Sequence, residues 1–231
     1  MSSTLRLAAA AAIALLASAC IIVVDEHGGW GGWGYWDDGI DGSGVSASET
    51  RHVDAFHAVV LDVGGDVTVT VGEPASLEVW ADDNLLDNVT TSVRGGVLRI
   101  GRRRNCRFNA GLRVAIATPE LTRFDIDGSG DVVVHNVTGG EFAASIDGSG
   151  DLRADGSVTR LEASIDGSGA LRLSDLAAAE ASVDIDGSGT VHVNVSESLR
   201  YSIDGAGDIS DRGDPSGRGN INGAGSVRAA R

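Results

Sequence analysis

The pentapeptide IDGSG begins at Ile126 and returns at Ile146, Ile165 and Ile185, then drifts to IDGAG at Ile203 and INGAG at Ile221. The spacings are 20, 19, 20, 18 and 18 residues. A fixed period of this size leaves few folds open, because each unit is one supersecondary element that buries its apolar face only by stacking on its neighbours.

Aligned on the Ile, the residues two positions earlier are Phe124, Ala144, Ala163, Val183, Tyr201 and Gly219, mostly apolar. Two positions beyond the second Gly stand Val132, Leu152, Leu171, Val191, Ile209 and Val227, and two further on Val134, Ala154, Leu173 and Val193. Each unit therefore reads as a short alternating strand, a D-G-S-G corner, a second alternating strand and a looser return. Stacked coils bring the inward residues into apolar ladders about 4.8 Å apart, and about six such coils build roughly 29 Å of rod. The expected fold is all-β: a single-chain β-solenoid. The corner glycines suit positive φ or close backbone approach, so Gly167→Val is expected to break a corner.

Thirty-three glycines, three prolines and 4% aromatics fit short strands joined by tight turns. Residues 51–118 show no repeat, yet "AVVLDVGGDVTVTV" and "SLEVWA" alternate as strands do, with one short helical turn expected around Leu85 and Leu86. This half is expected to be an N-terminal β cap, since the outermost coil of an array needs a cover. Residues 119–225 hold the coils, and 226–231 form a tail.

Formal charge is −15, and all 18 basic residues are Arg. Such an acidic chain repels phosphate backbones, so nucleic acid is not an expected partner, and the run Arg102, Arg103, Arg104, Arg107 reads as a solvated loop. Absence of Lys excludes Schiff-base chemistry.

Residues 1–19 have the charged, apolar and small-residue regions of an export signal. "ALLASAC" resembles the lipobox of bacterial lipoproteins, which makes Cys20 the lipidated first residue of the mature chain and the tether to a membrane. Two alternatives stay open: A-x-A cleavage after Ala19, and an uncleaved anchor over Leu7–Val24, at the lower limit of a membrane span. With lipid on Cys20, Cys106 is a lone thiol. Residues 20–50 follow as anchor and linker, with Trp30, Trp33, Tyr35 and Trp36 spaced by glycine. A further IDGSG, Ile40–Gly44, sits apart from the regular array.

Asp127, Asp147, Asp166, Asp186 and Asp204 occupy equivalent places, followed by Asn222. Carboxylates one coil apart repel by about 0.9 kcal/mol in water, or about 3.5 at an effective dielectric of 20. An Asx-turn, with each carboxylate accepting from backbone N–H groups of its own corner, offsets that repulsion. A weakly bound divalent cation is the alternative. Against it, the calcium-loop pattern needs a Glu twelve positions in, where this chain has Asn136, and flanking helices. No metal or other cofactor is expected.

No catalytic constellation emerges. His52 and His57, five residues apart on an alternating strand, face opposite ways. His135 and His192 fall at different offsets in their coils, and no G-x-S-x-G elbow occurs. Carboxylate-bearing β-helix enzymes that act on polysaccharides remain an analogy of fold only, with Arg153 and Arg172 as the available basic residues.

"RHVDAFHAVVLDVGGDVTVTVG" from Arg51, "LEVWADDNLLDNVTTSVRGGVLRI" from Leu77 and "VAIATPELTRFDIDGSGDV" from Val114 resemble the family called putative autotransporter adhesin head GIN domain, formerly a domain of unknown function. The resemblance spans residues 51–225. It implies a right-handed β-helical body on a secreted or lipid-anchored bacterial envelope protein, with no established enzyme activity and no site residues to carry over. The reading is a non-catalytic module meeting an envelope or extracellular protein or glycan; a polysaccharide-active enzyme and a structural spacer are the rivals.

Overall fold

The computed structural model describes residues 39–229, so the export segment, Cys20 and the Trp-bearing stretch lie outside the described residues. The first half contains β1 (Ile40–Asp41), β2 (Ser46–Arg51), β3 (Ala58–Leu61), β4 (Asp66–Val71), β5 (Ser76–Asp82), β6 (Val89–Arg94), β7 (Val97–Arg102), β8 (Cys106–Arg107) and β9 (Arg113–Thr118). A single 3-10 turn at Leu86–Asn88 meets the expected helical turn. The repeats follow as β10 (Arg123–Gly128), β11 (Asp131–Gly148), β12 (Asp151–Gly167), β13 (Ala170–Gly187), β14 (Thr190–Gly205), β15 (Asp208–Asp211), β16 (Ser216–Gly223) and β17 (Ser226–Ala229).

The architecture is a parallel β-solenoid of about five turns. Ile126, Ile146, Ile165, Ile185, Ile203 and Ile221 lie in register from coil to coil, so the sequence period is the stacking period. Strand alternation sends Phe142, Ala144 and Ile146 into the core and Ala143, Ser145 and Asp147 outward. Each fully buried Leu, Ile or Phe contributes about 1.5–3 kcal/mol relative to exposure.

The return is tighter than expected. Strands β11 to β14 run 16 to 18 residues, from one corner to the next, bending where the register shifts, as between Val134 and Val137 or Arg153 and Asp155. The reason is hydrogen bonding: a return stacked on the coil beneath finds partners for its N–H and C=O groups there.

The non-repeating half also departs from a simple cap. β7, β3 and β10 stack in parallel on one side, and β9, β4 and β11 on the other. Leu61 registers with Ile126 and Asp66 with Asp131, so "LDVGGD" is a degenerate corner that continues the solenoid. The cover proper is antiparallel: β6 closes on β7, and β2 closes on β5. Nor does the linker extend through residue 50, for β1 pairs with β8 and β2 belongs to the body. Ser226–Ala229, expected as tail, pairs with β15 as β17. In both places strand pairing satisfies backbone groups that a free segment leaves to water.

Candidate interaction faces

Two outward faces carry the side chains that the core does not use. Ahead of the corner, three columns run along the stack. The first is Arg123, Ala143, Glu162, Ser182, Arg200 and Arg218. The second is Asp125, Ser145, Ser164, Asp184, Ser202 and Asn220, and the third is the Asp ladder ending in Asn222. Side chains in the second column are short and polar, and the Ser164 hydroxyl donates to Ser145 Oγ at 3.0 Å. A shallow cleft of about 430 Å³ runs between the second and third columns, lined by Ser145, Asp147, Ser164, Asp166, Asp186 and Asp204 among others. Its polar groups offer hydrogen bonding and negative charge, beside a comparable share of apolar surface.

The Asp ladder is in register, and all five carboxylates are exposed. The expected Asx bonds do not close the corners. Backbone does so instead: the N–H groups of Ser149, Ser168, Ser188, Ala206 and Ala224 donate to the carbonyls of Gly128, Gly148, Gly167, Gly187 and Gly205, one coil below, at 2.8–2.9 Å. Stacking places a carbonyl directly beneath each corner N–H, while the carboxylate points to solvent. This explains why Ala206 and Ala224 can replace Ser. Gly167 shows the steric side, with φ +129° and room for no Cβ, which would lie 2.3 Å from the Gly148 oxygen.

At the ends of the ladder the chemistry changes. The Asp127 carboxyl is pushed above its ordinary range by partial desolvation, then by the charge of Asp62, with smaller contributions from Asp125 and Asp147, against which Arg99 acts. At the other end Asn222 Nδ2–H donates to Asp204 Oδ1 at 3.2 Å. Among the described residues no three His, Cys, Asp or Glu side chains gather into a metal-binding group.

Beyond the corner, the second face is held by charge pairs between coils. Arg172 bonds Asp151 at 2.7 Å and Arg153 bonds Asp175, while ahead of the corner Arg160 lies 3.8 Å from Glu180. The two Arg residues available to a polysaccharide-active site are thus engaged with neighbouring coils. His135 Nδ1 lies 2.7 Å from Asp155 Oδ2, and the other Asp155 oxygen accepts the N–H of Asn136, a non-glycine residue at φ 62°. Burial alone raises the Asp155 carboxyl, but the Asn136 N–H, the His135 ring and Arg153 together bring it below its usual range. His192 stands three coils above Val133 in the neighbouring column, so His135 and His192 do not meet. His52 and His57 are both exposed.

Sequence reasoning missed Asp82 and Arg51. Asp82 is wholly buried and accepts the N–H groups of Gly44 at 2.6 Å and Ala110 at 3.2 Å, while a Cβ on Gly42 would collide with it. The isolated Ile40–Gly44 motif is therefore a close-approach loop outside the coil array. Arg51 donates to the carbonyls of Leu86 and Val89, both at 2.7 Å, pinning β2 across the 3-10 turn. Only the packed fold brings these partners together. Cys106 is a free, half-buried thiol, and Asn88 is spent on the backbone of Arg104.

The family model described as "Putative auto-transporter adhesin, head GIN domain" matches residues 55–215. No curated protein matches the chain significantly. Among solved structures, a putative adhesin from Bacteroides fragilis superposes with a TM-score of 0.67 at 18% identity, covering 83% of this chain and all of that one. A putative lipid binding protein from Parabacteroides distasonis gives 0.54 at 20% identity, over 83% of this chain and 99% of that one. A putative adhesin from the same species gives 0.54 at 21%, over 84% and 100%. These likenesses show a shared fold.

Proposed function

Because this chain belongs to the family described as "Putative auto-transporter adhesin, head GIN domain", we propose that it is a non-catalytic interaction module of the bacterial cell envelope. In this reading a lipid on Cys20 tethers it to a membrane, and its exposed solenoid faces meet an envelope or extracellular protein or glycan. The observation that carries the reading is the face ahead of the corner, where short polar side chains repeat in register over successive coils. Interaction area on such a face grows with each coil, which suits an extended partner better than a small substrate.

The test is binding of the labelled chain to bacterial and host cells, with single substitutions on each face. Ser145→Arg or Ser164→Arg is expected to weaken binding at least tenfold, while Arg153→Ala changes it little. Turnover of a polysaccharide that such a substitution abolishes would establish the enzyme instead. Indifference to every face substitution, with sensitivity only to coil number, would establish the spacer.

A further inference from the structure

The two ends of the solenoid are finished differently. At the N-terminal end the outermost strands, β6 and β2, run antiparallel to β7 and β5 and, among the described residues, pair along that one edge. At the other end, β16 and β17 pair with β14 and β15 along one edge and, among the described residues, with no strand along the other. All eight residues of β16 are exposed. Ile221, the last rung of the Ile ladder, is 42% exposed, against 1% for Ile203 beneath it. A strand edge left in this way is a template for another strand.

The final coil also breaks the chemical pattern. Asn220 stands above Ser202, Asn222 above Asp204, and Ser226 above Asp208. Outward positions on β16 and β17 hold Arg218 and Arg228 and no carboxylate, on a chain whose net charge is −15. The coil already meets acid on its covered side: Asn222 Nδ2–H donates to Asp204, and the Ser226 hydroxyl donates to Asp208. Its open side is left with the second Nδ2–H of Asn222, two guanidinium groups and, among the described residues, an unpaired backbone edge.

We propose that this edge is a docking surface for an acidic extended segment of a partner protein, which adds to the stack as a further strand. Main-chain hydrogen bonds would supply affinity, and carboxylates facing Arg218, Asn222 and Arg228 would supply selectivity. A second copy fits less well. Edge to edge it sets Arg218 and Arg228 against their own equivalents, and its opposite end offers β6, "VTTSVR", with no carboxylate, and β2, whose Glu49 is already paired with Arg51. The inference names a site and partner class for the interaction module and rests on that reading.

The probe is a labelled synthetic peptide, EASVDIDGSG, copied from residues 180–189 and bearing Glu180, Asp184 and Asp186. Fluorescence anisotropy against the full chain is expected to show saturable, salt-sensitive binding. The counterpart peptide with Gln and Asn at the three acidic positions should bind at least tenfold more weakly. The double variant Arg218→Glu/Arg228→Glu should lose a similar factor, and Asn220→Pro should block the edge, with circular dichroism confirming that both variants fold. Absence of saturable binding, or binding unchanged by charge reversal, overturns the proposal. So does a dimer in sedimentation that excludes the peptide, since the edge then belongs to a second copy. If the peptide fails while the labelled chain still binds cells through its faces, the edge proposal falls and the interaction module stands.

Discussion

Gly167 lies directly over Gly148, so close that a Cβ on the first would sit 2.3 Å from the carbonyl oxygen of the second. That oxygen also accepts the N–H of Ser168. One residue pair thus carries both the steric limit and the hydrogen bond of the corner. Gly167→Val forces a β-branched side chain into φ +129° and into backbone, and is expected to cost about 3 kcal/mol or more. Urea denaturation of wild type and variant measures this, and a loss under about 1 kcal/mol would contradict it.

Rungs of the inner ladder should be costly to truncate and outward residues cheap. Leu152 and Ile146 are essentially buried, so alanine at either is expected to cost about 2–5 kcal/mol through lost transfer energy and a cavity. Ser182→Ala, on the outer face, should stay within about 0.5 kcal/mol. Thermal unfolding of the three variants side by side distinguishes core from face.

Asp127 and Asp155 should act oppositely with pH. The folded state raises the Asp127 carboxyl, so its ionised form opposes folding above the folded pKa, and the opposition fades as pH falls through that value. Asp127→Asn is expected to raise Tm at pH 7 and to make no difference in acid. Because the side chain is exposed, the gain should be under about 1 kcal/mol.

For Asp155 the folded state lowers the carboxyl, so its contribution is fully present above the unfolded value near 3.9 and is lost as pH falls through the folded one. Asp155→Asn should destabilise at pH 7 by about 1 kcal/mol, through loss of the charge-assisted bond to Asn136 N–H. The deficit should vanish below the folded pKa. Unfolding midpoints from pH 2 to 8 for wild type and both variants measure the two signs together.

The tether has its own measurement. Intact mass of the mature protein from its native host should give a chain that starts at Cys20 and carries added acyl mass. A chain starting at Cys20 without acyl mass would indicate a released protein and move the partner search away from the membrane.

The solenoid was legible because stacking is periodic: six pentapeptides at nearly constant spacing state the register, and alternation around each Ile states which side is core. Two features of the same coils were hidden. "LDVGGD" had drifted too far from IDGSG to be seen as a corner until Leu61 was found in register with Ile126. The Asp ladder suggested an Asx-turn because a carboxylate beside a glycine corner is a good local acceptor. The acceptor used, a carbonyl one coil below, is distant in sequence and exists only after stacking.

Period, alternation and charge thus belong to the sequence by itself, since each depends on residues close along the chain. Tertiary structure alone decided which antiparallel strands cover the N-terminal end, where Asp82 and Arg51 find their partners, and which edge beside Ile221 has no partner strand among the described residues. Those outcomes depend on residues as many as 40 positions apart meeting in space, and no local pattern encodes such a meeting.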